Sequence, residues 1–380
     1  MAGGLLAFVA GEASGDLLAA AVLGALRDRD PQAHFAGIAG DRMIAQGCEA
    51  WWHVRELSVR GYAEVIAELP RLLRLRALLR ERLLLEQPRV VVGVDAPDFN
   101  LRLEAQLRAA GVPTVHYVSP SIWAWRRGRI ETVRRAADRV LLVFPFEQPI
   151  YDRAGVAATY VGHPLASQIP LVPDVRAARE RLGIDGDPLI AALPGSRRAE
   201  VEYIAPALLG ALAQIGRRHP RARFVVPAAS AYLRDRLTAL LAAAPGAATR
   251  TTLVDGRSHD CLEAADGVLV ASGTATLEAA LYKKPMVIVY RMPRLSWWIM
   301  RRMGYLPWIG LPNILANETL VPELLQDEAN PPAIADALLR QLDDPAHCAQ
   351  LRERFAAIHE SLRRDTPALA AEAILATARR

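Results

Sequence analysis

The chain has 380 residues, 52% apolar and 23% charged, which excludes a disordered chain and supplies core for two domains. The longest apolar stretches, such as VLLVFPF (140–146), fall well short of the roughly 18 residues needed to span a bilayer, so a polytopic membrane protein is excluded too. The net charge of +5 and the dominance of arginine (only Lys283 and Lys284 are lysines) point to an anionic partner, because guanidinium groups grip phosphate in a two-pronged fork. Cys48, Cys261 and Cys348 are too widely spaced for a disulfide framework or a zinc site. The start, MAGGLLAFVAG, lacks a basic region and is followed at once by Glu12 and Asp16, so no export signal is expected and the chain should stay in the cytoplasm.

In chain order, short apolar strands are predicted at 5–11, 34–40, 90–96, 114–120, 139–146 and 158–164, with helix-like stretches between them. SQIPLVPDV (167–175), with Pro170 and Pro173, reads as a linker. Strands resume at 188–196, 223–229, 267–273 and 285–291. The pattern predicts an α/β protein with two Rossmann-like domains facing a central cleft. We place an N-terminal domain at 1–168, a C-terminal domain at 169–350, and a helical segment at 351–380 packing back across the domains. Ligands of open α/β sheets bind at the carboxyl ends of strands, so chemistry is sought there.

In the first half, GEASGD (11–16) follows a strand and offers Glu12 and Ser14. VVVGVDAPDFN carries Asp95 at the strand end, placed to act as a general base, and then Asp98, for which a helix N-cap is the better fit because FNLRLEAQL follows it. HYVSPSIWAWRRGRI (116–130) supplies Ser119, Ser121, Trp123, Trp125, Arg126 and Arg127, suited to a sugar or acyl pocket beside a phosphate, or to a plain aromatic core. His163 in VGHP is either packed structure or a ligand contact.

In the second half, Gly195, Ser196 and Arg197 of LPGSR form a strand-to-helix turn whose free N–H groups and dipole suit phosphate, with Arg198 adjacent. The turn of Gly273, Thr274, Ala275 and Thr276 repeats the logic, and Glu278 is placed to accept from a ribose diol or merely to complement the helix dipole. Neither a P-loop nor a G-x-G-x-x-G follows the first strand, which leaves a nucleotide-sugar as the expected ligand.

Two stretches suit a membrane surface: the leucine–arginine helix at 69–87, where Leu69, Leu72, Leu73, Leu79 and Leu83 share roughly one face, and 294–312 with three tryptophans beside arginines. A buried leucine stripe would explain the first equally well.

GEASGD, GVDAPDFN, HYVSPSIWAWR, VGHP, LPGSR, ASGTATLEA, YRM and LPN occur in this order, and the chain resembles the lipid-A-disaccharide synthases from about residue 5 to beyond 315. The resemblance implies a GT-B glycosyltransferase that joins UDP-2,3-diacylglucosamine to 2,3-diacylglucosamine 1-phosphate and releases UDP. It implies Asp95 as base, UDP contacts from Arg197, Glu278 and Asn313, and phosphate near Thr274–Thr276. No metal or other cofactor is expected. It also implies a homodimer and work at the cytoplasmic face of the inner membrane of a Gram-negative bacterium. The nearest rival is another UDP-sugar enzyme of the same fold, such as a UDP-GlcNAc 2-epimerase. The basic charge also admits a nucleic-acid-binding module, but the expectation is no nucleic acid.

Overall fold

A computed structural model describes residues 4–57, 62–124, 128–294, 297–298 and 306–378. Contacts divide the chain into two compact units: residues 1–167 with 362–380, and residues 168–361.

The first unit is a seven-stranded sheet of β1 (Leu5–Ala10), β2 (His34–Ala39), β3 (Glu49–His53), β4 (Val90–Val94), β5 (Thr114–Tyr117), β6 (Arg139–Leu142) and β7 (Ala158–Tyr160). All pairings are parallel, in the order β3-β2-β1-β4-β5-β6-β7. Strands β1 and β4 are near-continuous apolar runs because helices cover both faces. One face packs Ala7, Val9, Ile38 and Val91 against Leu75, Leu79 and Leu83 of the helix Tyr62–Glu86 and Leu103 and Leu107 of the helix Pro97–Ala109. The last helix, Thr366–Ala378, returns to this unit and packs on the helix Ala13–Arg29.

The second unit repeats the plan with β8 (Leu189–Leu193), β9 (Arg223–Ala228), β10 (Thr251–Asp255), β11 (Gly267–Ala271), β12 (Met286–Tyr290) and β13 (Glu323–Leu325), again parallel, in the order β10-β9-β8-β11-β12-β13. A core cluster joins Ile190, Phe224, Leu269 and Val287 of the sheet to Leu208, Leu212 and Ile215 of the helix Arg198–Arg218.

Every strand expected from the sequence is present. Three further strands, β3, β10 and β13, lie at sheet edges and are half-exposed, so they lack the buried apolar run.

The membrane-facing reading of the helix Tyr62–Glu86 needs correction. Leu79 and Leu83 are fully buried, whereas Leu69, Leu73, Leu78 and Leu85 are exposed. The stripe divides because the core face runs through Leu75, Leu79 and Leu83, at i, i+4 and i+8. In the tryptophan-rich stretch, Trp298 is exposed, while the Trp308 indole donates to the Thr319 hydroxyl at 2.8 Å. Residues 295–296 and 299–305 lie outside the described residues. Among the described residues no helix is long and apolar enough to cross a membrane.

Candidate functional site

In each sheet the strand order reverses once, between β1 and β4 and between β8 and β11. The carboxyl ends of those strand pairs are the topological switch points where such sheets bind ligands. Asp95 and the GEASGD turn sit at the first, and the LPGSR and GTATLE turns sit at the second.

At the first switch point, β4 ends in two consecutive left-handed residues, Asp95 (φ +55) and Ala96 (φ +43). Each costs about 1–2 kcal/mol in a non-glycine residue, so the turn persists only because its surroundings hold it. The Asp95 N–H donates to the Tyr117 carbonyl at 2.8 Å, and the Ala96 carbonyl accepts from the N–H groups of Phe99 and Asn100. Gly11 makes room: a Cβ there would stand 2.1 Å from that of Ala96. The Asp95 side chain is half-buried. Among the described residues nothing is hydrogen-bonded to its carboxylate, which leaves that group available to a ligand.

Glu12 and Ser14 flank the same switch point and are exposed. Asp16, between them and the core, is structural: its buried carboxylate accepts from the N–H groups of Gly40, Arg42 and Met43. The N-cap reading of Asp98 is not met. Ala96 caps the helix and Pro97 opens it, so Asp98 lies in the first turn, exposed and ion-paired with Arg129.

Beyond β5, β6 and β7 the structure gathers Ser119, Trp123 and His163. The Trp123 ring meets Phe146 edge-on at 5.3 Å, Phe146 stacks on Phe144 at 5.4 Å, and the His163 ring lies 5.2 Å from Phe144. The Ser119 hydroxyl bonds the Tyr151 hydroxyl at 2.7 Å. Burial lowers the His163 imidazole to about 4, so it is neutral at physiological pH. Ser121 is exposed beside this group. Trp125, Arg126 and Arg127 lie outside the described residues.

Sequence reasoning passed over Glu147, which is buried under the same aromatic group and accepts from the Phe144 N–H at 3.1 Å. Burial drives its carboxyl up to about 8, against the opposing pull of the Phe144 N–H and the Ser119 and Trp123 side chains. An acidic residue directly after the apolar run VLLVFPF was the available signal. A second buried carboxylate, Glu104, pairs with the His116 Nδ1 at 2.9 Å with both side chains sealed from solvent. Desolvation raises Glu104, and the neighbouring His116 opposes it.

At the second switch point, Gly195 is left-handed (φ +115) and Arg197 is the N-cap of the long helix. The expectation of free N–H groups is corrected here. The Glu200 carboxylate accepts from Ser196 N (3.0 Å) and Arg197 N (3.2 Å), as a third-position acid does in a capping box. Its other oxygen holds the exposed Arg197 guanidinium at 3.0 Å. Arg198 lies 5.9 Å from the Tyr232 ring centre.

Gly273 (φ +148) and Thr274 are exposed at the second turn. Thr276 is fully buried and its hydroxyl donates to the Gly273 carbonyl at 2.8 Å, so it shapes the turn and its side chain has no path to a ligand. Glu278 is half-buried, 3.8 Å from the His259 Nε2; burial raises its carboxyl, with His259 opposing.

Asn313 is also corrected. It is fully buried, its amide donates to the Val321 carbonyl and the Glu323 carboxylate, and its oxygen accepts from Leu320 N and Val321 N. All four hydrogen-bonding positions are filled, so its side chain fixes the LPN turn and has none left for a nucleotide.

The fold has counterparts among known proteins. Solved structures with the same two-unit plan include a sucrose-phosphate synthase from Thermosynechococcus elongatus (16% identity, TM-score 0.62, covering 98% of each chain). Another is a UDP-GlcNAc 2-epimerase from Neisseria meningitidis bound to UDP-GlcNAc (12%, TM-score 0.58, 98% of each chain). At those identities they establish the GT-B fold of two Rossmann-like units and nothing about the reaction. Sequence relatives are far nearer. The lipid-A-disaccharide synthase of Burkholderia vietnamiensis is 54% identical over 372 residues, covering 97% of this chain and 95% of its own. That of Cupriavidus pinatubonensis is 52% identical over 374 residues, covering 98% and 92%. The family described as lipid-A-disaccharide synthetase matches residues 6–374, and the chain belongs to that family.

Proposed function

We propose that the chain transfers 2,3-diacylglucosamine from UDP-2,3-diacylglucosamine to the 6-hydroxyl of 2,3-diacylglucosamine 1-phosphate, with Asp95 as general base. Family membership makes it a glycosyltransferase of lipid A synthesis with a UDP-sugar donor and a lipid acceptor. The observation that supports the assignment of the base is the strained Asp95–Ala96 turn, which presents at a switch point a carboxylate with no partner among the described residues. Strain of this kind concentrates at functional sites.

In this reading the acceptor binds to the first unit, with Glu12, Ser14, Ser121 and the Trp123–Phe146 surface as contacts. The donor binds to the second, with diphosphate at the Arg197 and Gly273–Thr274 turns and ribose at Glu278. Asp95 takes the proton of the 6-hydroxyl as its oxygen bonds to the anomeric carbon. The anomeric C–O bond to diphosphate breaks, and UDP leaves with the electron pair. Attack opposite the leaving group turns an α-linked donor into a β-1,6 product. The Arg197 guanidinium meets charge that grows as the bond breaks, so it stabilises the transition state more than the ground state.

The substrates carry acyl chains, so the enzyme must reach a bilayer surface, and peripheral binding to the cytoplasmic face of the inner membrane is part of the proposal. Exposed Leu69 and Leu73, with Arg71 and Arg74 beside them, supply apolar area and cationic charge. We further propose a homodimer, from the family resemblance.

The deciding assay gives the purified chain both sugars and identifies the products. UDP together with a β-1,6 disaccharide 1-phosphate supports the reading. Turnover of the donor without the lipid acceptor would favour an epimerase-like activity.

A further inference from the structure

The Asp95–Ala96 turn needs a holder, and the residue best placed for it is neither of the two. We infer that Asn100 is a positioning residue for the transfer reaction: its side-chain amide keeps the turn in the left-handed conformation from which the Asp95 carboxylate addresses the acceptor hydroxyl. This rests on Asp95 being the base.

Asn100 is the fourth residue of the helix that leaves the turn, and its side chain is almost wholly buried. Its Nδ2 lies within hydrogen-bonding distance of three carbonyl oxygens: Asp95 at 2.8 Å, Val9 at 3.2 Å and Val94 at 3.4 Å. The contact to Asp95 is the shortest. These carbonyls come from the ends of β1 and β4, the two strands that flank the switch point. One amide therefore ties the two strand ends to the residue between them that carries the chemistry. The amide orientation is fixed by its surroundings, because a flip would set its oxygen against three carbonyl oxygens.

The left-handed backbone of Asp95 turns its carbonyl towards Asn100. Without the donor that carbonyl loses its partner, and rotation of the peptide towards ordinary strand geometry would carry the carboxylate away. The rest of the turn is anchored by backbone alone, through the Asp95 N–H on Tyr117 and the Ala96 carbonyl on the helix. Asn100 is thus the one side chain, among the described residues, that bonds to the Asp95 backbone.

The position also excludes simple substitutes. A Cβ on Gly93 would lie 3.0 Å from the Asn100 Cβ and Cγ and 2.0 Å from the Glu104 Oε1, so the space beneath the strand is full. Aspartate would press a negative charge against three carbonyls, and leucine would leave them without a donor.

The test uses the full chain and measures kcat, acceptor KM, UDP affinity and melting temperature. Asn100→Ala should lower kcat by roughly 100-fold, the scale of an angstrom-sized misplacement of a reacting group. Acceptor KM and UDP affinity should stay within about threefold, because the substrate contacts are untouched. In an Asp95→Asn background the same change should cost less than about twofold, since Asn100 acts only through Asp95. Adding Ala96→Gly to Asn100→Ala should recover part of kcat, because glycine holds a left-handed turn at no steric cost. Asn100→Ser keeps one donor and should fall between the parent and alanine; it also carries the test if alanine does not fold. The inference is overturned if the loss of kcat merely tracks the folded fraction counted by UDP-binding stoichiometry. It is equally overturned if Asn100→Ala costs as much without the Asp95 carboxylate as with it. A fully active Asp95→Asn enzyme would remove the base assignment itself. A dead Asp95→Asn with a fully active Asn100→Ala would remove only this inference.

Discussion

Glu147→Gln should change how stability responds to pH, and the structure sets the window. The Glu147 carboxyl goes from 4.5 when exposed to about 8 in the fold because burial penalises its charge. Below the lower value both states are protonated and the group costs nothing. As pH rises through the window the unfolded chain releases its proton and the folded chain does not, so stability falls with pH. At 1.36 kcal/mol per unit the full loss is about 5 kcal/mol. His163 acts in the opposite sense: burial moves it from 6.5 down to about 4, so its contribution rises with pH between those values. The two nearly cancel below 6.5. Between pH 6.5 and 8, above the His163 window, the Glu147 contribution should remove about 2 kcal/mol. Glutamine keeps an oxygen for the Phe144 N–H but cannot ionise. Urea unfolding of parent and variant at pH 6.5 and pH 8 isolates the effect as a difference of differences, which matters in a two-unit chain that need not unfold in one step. The parent should lose about 2 kcal/mol more than the variant across that interval. Parallel behaviour of the two would refute the argument that Glu147 is held neutral.

Leu79→Ala should destabilise the first unit by about 2–5 kcal/mol because it empties a sealed core position, read as a shift in the unfolding midpoint. Leu69→Ser with Leu73→Ser should leave that midpoint nearly unchanged and weaken flotation with anionic liposomes; unchanged flotation would move the membrane contact elsewhere. Arg197→Ala should weaken UDP binding and lower kcat together, whereas Glu200→Ala, by removing the side-chain oxygens that occupy the Ser196 and Arg197 N–H groups, should tighten UDP in calorimetry.

The fold is legible in the sequence where the physics is local. A strand buried on both faces needs a continuous apolar run, so β1, β4, β8 and β11 were legible, and the turns that follow them marked both switch points. Edge strands such as β10 alternate between contact and solvent and left no such run. The misread residues fail for one reason, which is that their partners are distant or their side chains are turned inward. Asn313 carries four hydrogen-bonding positions like any asparagine, and only the packing of Leu320–Glu323 against it reveals that all are used. Ser196 and Arg197 looked free because a glutamate four residues on also reads as an ordinary helical residue. The leucine stripe was divided by an i, i+4 core contact that spacing alone does not assign to one leucine or its neighbour. Asp95 drew attention because it ends a legible strand, and the left-handed turn on which it sits has no signature in a run of Val, Asp, Ala and Pro.

The central claim is that Asp95 removes the acceptor proton, and the most direct test is single-turnover transfer by Asp95→Asn with saturating donor and acceptor. The account predicts unchanged UDP affinity and melting temperature and a chemical step slowed about 10²–10⁴-fold. A variant that binds UDP normally and forms disaccharide at close to the parent rate would contradict it.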